Sequence, residues 1–234
     1  LLMADEFSRF LTLSGPARLG LRTVHLVAAL LVTGLVAGLG NGLSAALPTG
    51  IWSAVFWTWI AGVAALLAIG LRFTRSPVLW ALVSLLYIWG PVTALIWVRG
   101  QDGGAGLVLW VFLLVWATDI GGYFAGKAIG GPKLLPAVSP NKTWAGALGG
   151  LVCAGLSAFL CALAFEPLPL SLTLAMSLPL ALASQIGDMV ESAIKRHFGA
   201  KDSGTLIPGH GGMMDRVDGL VFAAPVLAAT LTVL

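Results

Sequence analysis

The sequence has very few charged residues for its length. Aspartate, glutamate, lysine and arginine make up 10% of the 234 residues, whereas an ordinary soluble domain carries about 25%. Hydrophobic residues account for 58%, and the mean hydropathy is +0.96. So little polar surface could not cover a globule in water. The shortage of charge therefore excludes a soluble domain and indicates an integral membrane protein.

Cysteine is also scarce. Cys153 and Cys161 both lie in apolar sequence, where we expect them to fill the core. This excludes a disulfide scaffold, and the sequence has neither a CxxC pair nor an HExxH motif. The net charge of +3 comes without the basic stripe of a nucleic-acid-binding surface, so we expect no nucleic acid partner.

Long apolar segments make up most of the chain. A helix that crosses a bilayer needs about 20 mainly apolar residues. The segments that approach this length are 23–40, 51–71, 77–98, 106–126, 143–165, 171–194 and 219–234. Each is predicted to be helical, because backbone groups in lipid must be satisfied within the segment. The expected fold class is all-α, a polytopic transmembrane helical bundle with about seven spans here and further N-terminal helices in the full-length protein.

The lysines and arginines alternate between the connections of these spans. Arginines precede the first span, segment 41–50 has no basic residue, and basic residues are enriched again in 127–142 and 195–218. Positive connections mark the cytoplasmic side, so these two loops are predicted to share that face.

Carboxylates inside apolar segments are the first candidates for a functional site, because an unpaired one is costly in lipid. Asp119 lies near the end of the fourth span, and Asp188 and Glu191 lie near the end of the sixth. On a helix, Asp188, Glu191 and Lys195 share one face, which predicts one wall of a polar site. For Asp119 alone, a hydrogen bond between helices is the alternative.

Loop 195–218 is the most polar part of the chain. Its glycines allow backbone N–H groups to approach a phosphate, its cations suit phosphoryl oxygens, and its carboxylates suit Mg²⁺. The charged residues are Lys195, Arg196, Lys201, Asp202, Asp215, Arg216 and Asp218, and His210 stands between two glycines. A solvated loop is the alternative, but this clustering in a charge-poor chain favours a binding site.

The other cytoplasmic loop offers Lys133, Ser139, Asn141 and Lys142 just before a predicted helix start, where phosphate groups bind readily. The glycine spacing of a P-loop is missing. From the residues alone, phosphate binding and simple anchoring at the membrane surface are equally favoured. Together, the two loops predict a metal-dependent membrane enzyme that acts on phosphorylated substrates.

Loop 195–218 closely resembles that of the phosphatidate cytidylyltransferases, also called CDP-diacylglycerol synthases. Their signature runs Ser-x-hydrophobic-Lys-Arg, four residues, Lys-Asp, a small residue, His-Gly-Gly and Asp-Arg-hydrophobic-Asp. The matching positions are Ser192, Lys195, Arg196, Lys201, Asp202, Gly204, His210, Gly211, Gly212, Asp215, Arg216 and Asp218. The segments around Asp119, Lys133–Trp144 and Gly187 also resemble the family, so the likeness covers roughly 105–234. It implies a catalytic transmembrane region, 105–234, preceded by N-terminal transmembrane helices, 1–104.

The resemblance implies that CTP and phosphatidate are converted to CDP-diacylglycerol and pyrophosphate in phospholipid biosynthesis. It implies that Asp188, Asp215 and Asp218 bind Mg²⁺, with a second cation left open, and that Lys195 and Arg216 act beside them. The implied substrate-binding residues are Asp119, Lys133, Ser139, Asn141, Lys142, Ser192, Arg196, Lys201, Asp202, His210, Gly211 and Gly212.

The resemblance also implies a multi-pass protein of the bacterial inner (cytoplasmic) membrane whose active site faces the cytoplasm. Its expected partners are CTP, phosphatidate in the bilayer and membrane lipids, and a homodimer is one assembly that we consider. Two other functions stay open. A CTP-dependent lipid kinase of the polyprenol type would release CDP, whereas an ion-coupled transporter would use Asp119 and Asp188 as ion ligands. The absence of an inverted repeat disfavours the transporter.

Overall fold

A computed structural model of the chain describes residues 1–38, 49–73, 76–204 and 211–234. Its helices are α1 (Leu2–Phe10), α2 (Gly15–Gly38), α3 (Thr49–Phe73), α4 (Pro77–Arg99), α5 (Gly104–Ala128), α6 (Trp144–Phe165), α7 (Leu170–His197) and α8 (Met214–Leu231). Between α5 and α6, strands β1 (Lys133–Leu135) and β2 (Ser139–Thr143) form an antiparallel hairpin. The predicted helical bundle is confirmed, and the hairpin is an addition to it.

Within the described residues, six helices are long and apolar enough to cross a membrane. These segments are Gly15–Val32, Gly50–Arg72, Pro77–Arg99, Gly104–Ala128, Trp144–Phe165 and Leu170–His197. They correspond to the first six predicted spans, so the chain is a multi-pass membrane protein. The seventh, 219–234, corresponds to α8, which carries charged residues in its first turns and is not among the six. The predicted count of about seven is therefore approximate.

Helix α1 is not predicted by the hydropathy pattern. It is amphipathic and too short to span a bilayer, and its buried face includes Phe7 and Phe10. The Phe7 ring lies 6.4 Å from the Trp80 ring, and the Phe10 ring stacks on Phe198 at 5.9 Å between centroids. These contacts hold α1 against α4 and against the residue that follows α7.

The buried apolar residues form two clusters in the described part of the chain. One occupies the centre of the bundle around Trp110, Leu114 and Leu180. The other joins α1 to α4, α7 and α8, and contains Trp80 and Met214. Because Met214, the first residue of α8, belongs to the second cluster, the cluster holds the start of α8 and the polar residues there in place.

Helices α5 and α6 approach each other closely through glycines. A side chain on Gly121 would collide with Cys153, and one on Gly149 would collide with Ala125. The entry into α6 is fixed by Thr143, whose side-chain oxygen accepts a hydrogen bond from Gly146 N at 3.0 Å. The close approach and the N-cap together set the distance between α5 and the hairpin. Both cysteines are free, as predicted.

Replacing Gly149 with alanine should destabilise the protein, because the new methyl group overlaps Ala125 on α5. We expect the free energy of unfolding to fall by about 1–3 kcal/mol. Gly155 on the same helix has open space around it, so Gly155→Ala should leave the melting temperature in detergent unchanged or raised. Equal melting temperatures for the two variants would contradict this packing.

Candidate active site

A cavity of about 450 Å³ lies between α5, the hairpin, α6 and α7. Sites for small molecules commonly occupy about 300–1,000 Å³, so the cavity can accept a substrate of nucleotide size. Four of the residues predicted from the sequence line it, namely Asp119, Asn141, Lys142 and Asp188. The fold therefore brings together three segments that are far apart in the sequence.

Lys142 and Asp188 form an ion pair at this cavity, and each side chain is 29% exposed. The hairpin directs Lys142, because β2 pairs with β1 and leads straight into the capped start of α6. Asp188 is held by α7. Both groups are accessible to solvent. When the ion pair opens, Lys142 can bind a phosphate group and Asp188 can bind a metal ion.

Asp218 approaches the same region from α8. Gly187 makes this approach possible, since a side chain there would collide with the Asp218 carbonyl oxygen. Asp218 Oδ1 accepts a hydrogen bond from Gly219 N at 2.8 Å. The Asp218 charge is close enough to those of Asp188 and Asp119 for the three to repel one another. Carboxylates from α5, α7 and α8 thus create a negative potential that favours a cation.

A second polar cluster surrounds Lys195. Its Nζ atom donates to Asp215 Oδ1 at 2.6 Å and to Glu191 Oε2 at 3.2 Å. Glu191 is fully buried, and its charge interacts with those of Asp215 and Asp218. Asp218 therefore interacts electrostatically with residues of both groups, with Asp188 at the cavity and with Glu191 beside Lys195. Asp188 and Glu191, predicted to share one face of α7, each form an ion pair with a lysine. That this face is one wall of a functional site stays a prediction.

Asp215 is held by the loop that precedes α8. Its Oδ2 atom accepts hydrogen bonds from Gly212 N at 2.7 Å, Ser203 N at 3.0 Å and Ser203 Oγ at 2.8 Å. Burial alone would raise the pKa of the Asp215 carboxyl, but Lys195, Gly212 and Ser203 outweigh it and hold the pKa at about 2. Asp215 is therefore ionised throughout the neutral range.

Gly211 stands in the same turn with a φ angle of +82°. This left-handed backbone conformation favours glycine. A side chain on Gly211 would also come within 2.7 Å of Asp215 Oδ2. The first glycine of the His-Gly-Gly sequence is thus required by the turn, and the second, Gly212, contributes its N–H group to Asp215.

The remaining predicted residues lie outside the cavity lining. Lys133 and Ser139 are on the hairpin, and Ser192 is half-buried on α7. The exposed residues are Arg196, Lys201, Asp202 and Arg216. Arg196 donates to the Ala200 carbonyl oxygen at 3.1 Å, which closes the end of α7. His210 lies outside the described residues.

Several residues of the site were not predicted from the sequence. Thr118, Tyr123, Lys127 and Gln185 line the cavity, and Lys127 Nζ lies 5.7 Å from the centre of the Tyr123 ring. Tyr123 lies four residues after Asp119 on α5, so helical spacing places both on one face. This spacing could have indicated Tyr123 as a lining residue. Gln185 Nε2 donates to the Ala147 carbonyl oxygen at 3.1 Å and joins α7 to α6.

The carboxylates near the cavity are the side chains that could hold Mg²⁺. Among the residues that the structure describes, no three aspartate, glutamate, histidine or cysteine side chains come together around one point. Mg²⁺ is commonly bound by one or two carboxylates together with waters and substrate phosphates, so a three-residue cage is not required. Asp188 and Asp218 beside the cavity fit that pattern.

The fold and the cavity define a class of protein: a multi-pass membrane protein with a nucleotide-sized pocket near its helix ends, into which lysine and aspartate side chains converge. Comparison with known families makes the assignment specific. The sequence model of the cytidylyltransferase family matches residues 1–234, and the chain belongs to that family.

Individual relatives carry a more specific name. A protein from Brucella suis named phosphatidate cytidylyltransferase is 46% identical over 170 residues, covering 72% of this chain and 62% of that protein. A protein of the same name from Staphylococcus aureus is 41% identical over 158 residues, covering 67% of this chain and 60% of that protein. The chain thus spans about three fifths of the length of these relatives.

Proposed function

We propose that the chain transfers a cytidylyl group from CTP to phosphatidate and releases pyrophosphate. The observation that carries the proposal is the cavity at which Lys142 and Asp188 form an ion pair, in a chain of the cytidylyltransferase family. The names of the relatives agree with this reaction. The partners are CTP from the cytoplasm and phosphatidate from the bilayer.

The CTP phosphates bind at the hairpin side of the cavity. Lys142 and Lys127 supply positive charge there, and Asn141 supplies hydrogen bonds. The start of α6 lies next to them, and the N–H groups at a helix start attract anions. These groups orient the α-phosphate and reduce the repulsion between two anionic substrates.

Mg²⁺ would be held by Asp188 and Asp218, with Asp119 nearby to add negative charge. Bound there, the ion would supply neutralising charge to the phosphates and to the leaving pyrophosphate. Asp215 as a direct ligand stays a prediction, because its oxygens accept hydrogen bonds from Lys195, Ser203 and Gly212 in this structure. A second cation also stays a prediction.

In the reaction, an oxygen of the phosphatidate phosphate forms a bond to the α-phosphorus of CTP. The bond from that phosphorus to the oxygen bridging to the β-phosphate breaks, and the electron pair leaves with pyrophosphate. The attacking phosphate is already ionised near neutral pH, so little general-base help is required. The contribution of the protein is to position both substrates and to stabilise charge through Lys142 and Lys195.

The site belongs at the cytoplasmic face of a bacterial inner membrane. The hairpin lies in the basic loop 127–142, and the Lys195 cluster lies at the start of the basic loop 195–218. Strand β2 also contacts α7, the helix that leads into loop 195–218, which supports placing both loops at one end of the bundle. A cavity between helix ends at this face is accessible both to CTP in water and to a lipid headgroup.

An assay with CTP and phosphatidate in mixed micelles tests the function. We expect pyrophosphate and CDP-diacylglycerol in equal amounts, with a requirement for Mg²⁺ and for phosphatidate. Release of CDP with a phosphorylated lipid would instead identify a kinase. Solute flux into liposomes in the absence of CTP, without pyrophosphate formation in its presence, would identify a transporter.

A further inference from the structure

Glu6 is a buried carboxylate that the proposed reaction does not use. It lies on α1, is 4% exposed, and bonds to residues at the far end of the sequence. Its Oε1 atom accepts from Met213 N at 2.7 Å, and its Oε2 atom accepts from Met214 N at 2.9 Å. Because these N–H groups begin α8, they have no partner within the helix, and Glu6 satisfies them. A negative charge is also favourable at a helix start.

Glu6 shares a contact with Asp215. Ser203 Oγ lies 3.1 Å from Glu6 Oε2 and 2.8 Å from Asp215 Oδ2, and its single proton can be donated to either carboxylate. Glu6 also packs against Gly212, where an added side chain would come within 2.6 Å of Oε1. Gly212, whose N–H group donates to Asp215, is thus also in contact with Glu6.

We infer that Glu6 is a positioning residue for the Lys195–Asp215 pair. It fixes Ser203 and the first residues of α8 to α1, and these in turn direct the Asp215 carboxylate at Lys195. Glu6 does not line the cavity, so in this proposal it acts through other residues. The role in catalysis rests on the proposed function, whereas the contact itself can be tested without it.

The matched control is the neighbouring acid, Asp5. It points away from Glu6 and forms ion pairs with Arg22 and Arg9 at a partly exposed surface. Asp5→Asn should keep kcat within twofold of the wild type, because surface ion pairs contribute little. A difference between Glu6 and Asp5 variants therefore reports the buried contact and not the charge of α1.

The kinetic test uses Glu6→Ala, Glu6→Gln, Ser203→Ala and the double variant Glu6→Ala/Ser203→Ala. We expect Glu6→Ala to lower kcat for pyrophosphate release at least tenfold while KM for CTP changes less than threefold. Glu6→Gln keeps one acceptor oxygen and should retain an intermediate kcat. The double variant should be no slower than Glu6→Ala, because both substitutions interrupt the same chain of contacts, from Glu6 through Ser203 to Asp215.

The physical test follows amide hydrogen exchange at Met213 and Met214 in protein without CTP. Exchange should become at least tenfold faster in Glu6→Ala and stay unchanged in Asp5→Asn. Unchanged exchange in Glu6→Ala, a kcat within twofold of wild type, or multiplied losses in the double variant would overturn the inference. A wild-type chain that forms no pyrophosphate would instead contradict the proposed function, so the two failures are distinguishable.

Discussion

Replacing Asp188 with asparagine should lower the rate of pyrophosphate release by about 100- to 1,000-fold, the loss expected when a group that stabilises transferred charge is removed. Asp188 is paired with Lys142 at the cavity and interacts with the charge of Asp218. Asparagine has nearly the same size but no charge, so the cavity keeps its shape while the attraction for a cation falls. Initial rates at saturating CTP and phosphatidate measure the effect.

The control for this variant is Asp102→Asn. Asp102 is exposed in the connection between α4 and α5. The Asp102→Asn variant should retain full activity. Both variants should melt close to the wild-type temperature, because the partly exposed ion pair of Asp188 contributes little to stability. Added Mg²⁺ should recover part of the rate of Asp188→Asn. If Asp188→Asn were as active as Asp102→Asn, the cavity would have no part in the reaction.

Among the residues that the structure describes, hydropathy was sufficient to predict the six helices that are long and apolar enough to cross a membrane. Each must satisfy its own backbone in lipid, so its length and apolar character are fixed locally. Helix α1 and the hairpin were not predicted, because they depend on contacts between residues that are distant in the sequence or beyond a turn. Phe7 and Phe10 become buried only against Trp80 and Phe198, and the short strand Lys133–Leu135 is paired by residues beyond a turn. Tertiary contacts of this kind leave little trace in local composition.

The sequence predicted those residues of the candidate site that are charged but lie within apolar segments. Asp119 and Asp188 stand out because a carboxylate within an apolar segment needs a partner, and the structure places both at the cavity. The partner of Asp188 was not predicted, since nothing local joins Lys142 to α7. Glu6 was missed because the groups it satisfies, Met213 N and Met214 N, are near the opposite end of the chain.

Asp215→Asn separates two roles that the sequence could not distinguish. The asparagine carbonyl oxygen can take the place of Oδ2 and keep the hydrogen bonds from Ser203 and Gly212. Its amide group then faces Lys195 Nζ with donor against donor, so the variant loses the ion pair and the hydrogen bond to Lys195 but keeps the contacts to the loop. We expect pyrophosphate release to fall about 100- to 1,000-fold, with the protein still folded in detergent. Asp215→Ala should also lower the melting temperature, because the loop donors lose their acceptor.

The Mg²⁺ dependence of Asp215→Asn shows which role Asp215 has. If Asp215 positions Lys195, the variant should have a lower kcat and the wild-type Mg²⁺ concentration for half-maximal rate. If Asp215 binds the metal, the half-maximal concentration should rise by tenfold or more, as in Asp188→Asn. The hydrogen bonds of Asp215 favour the first outcome, because the metal could bind only after Lys195 had moved. A variant with the wild-type rate would contradict both roles of Asp215.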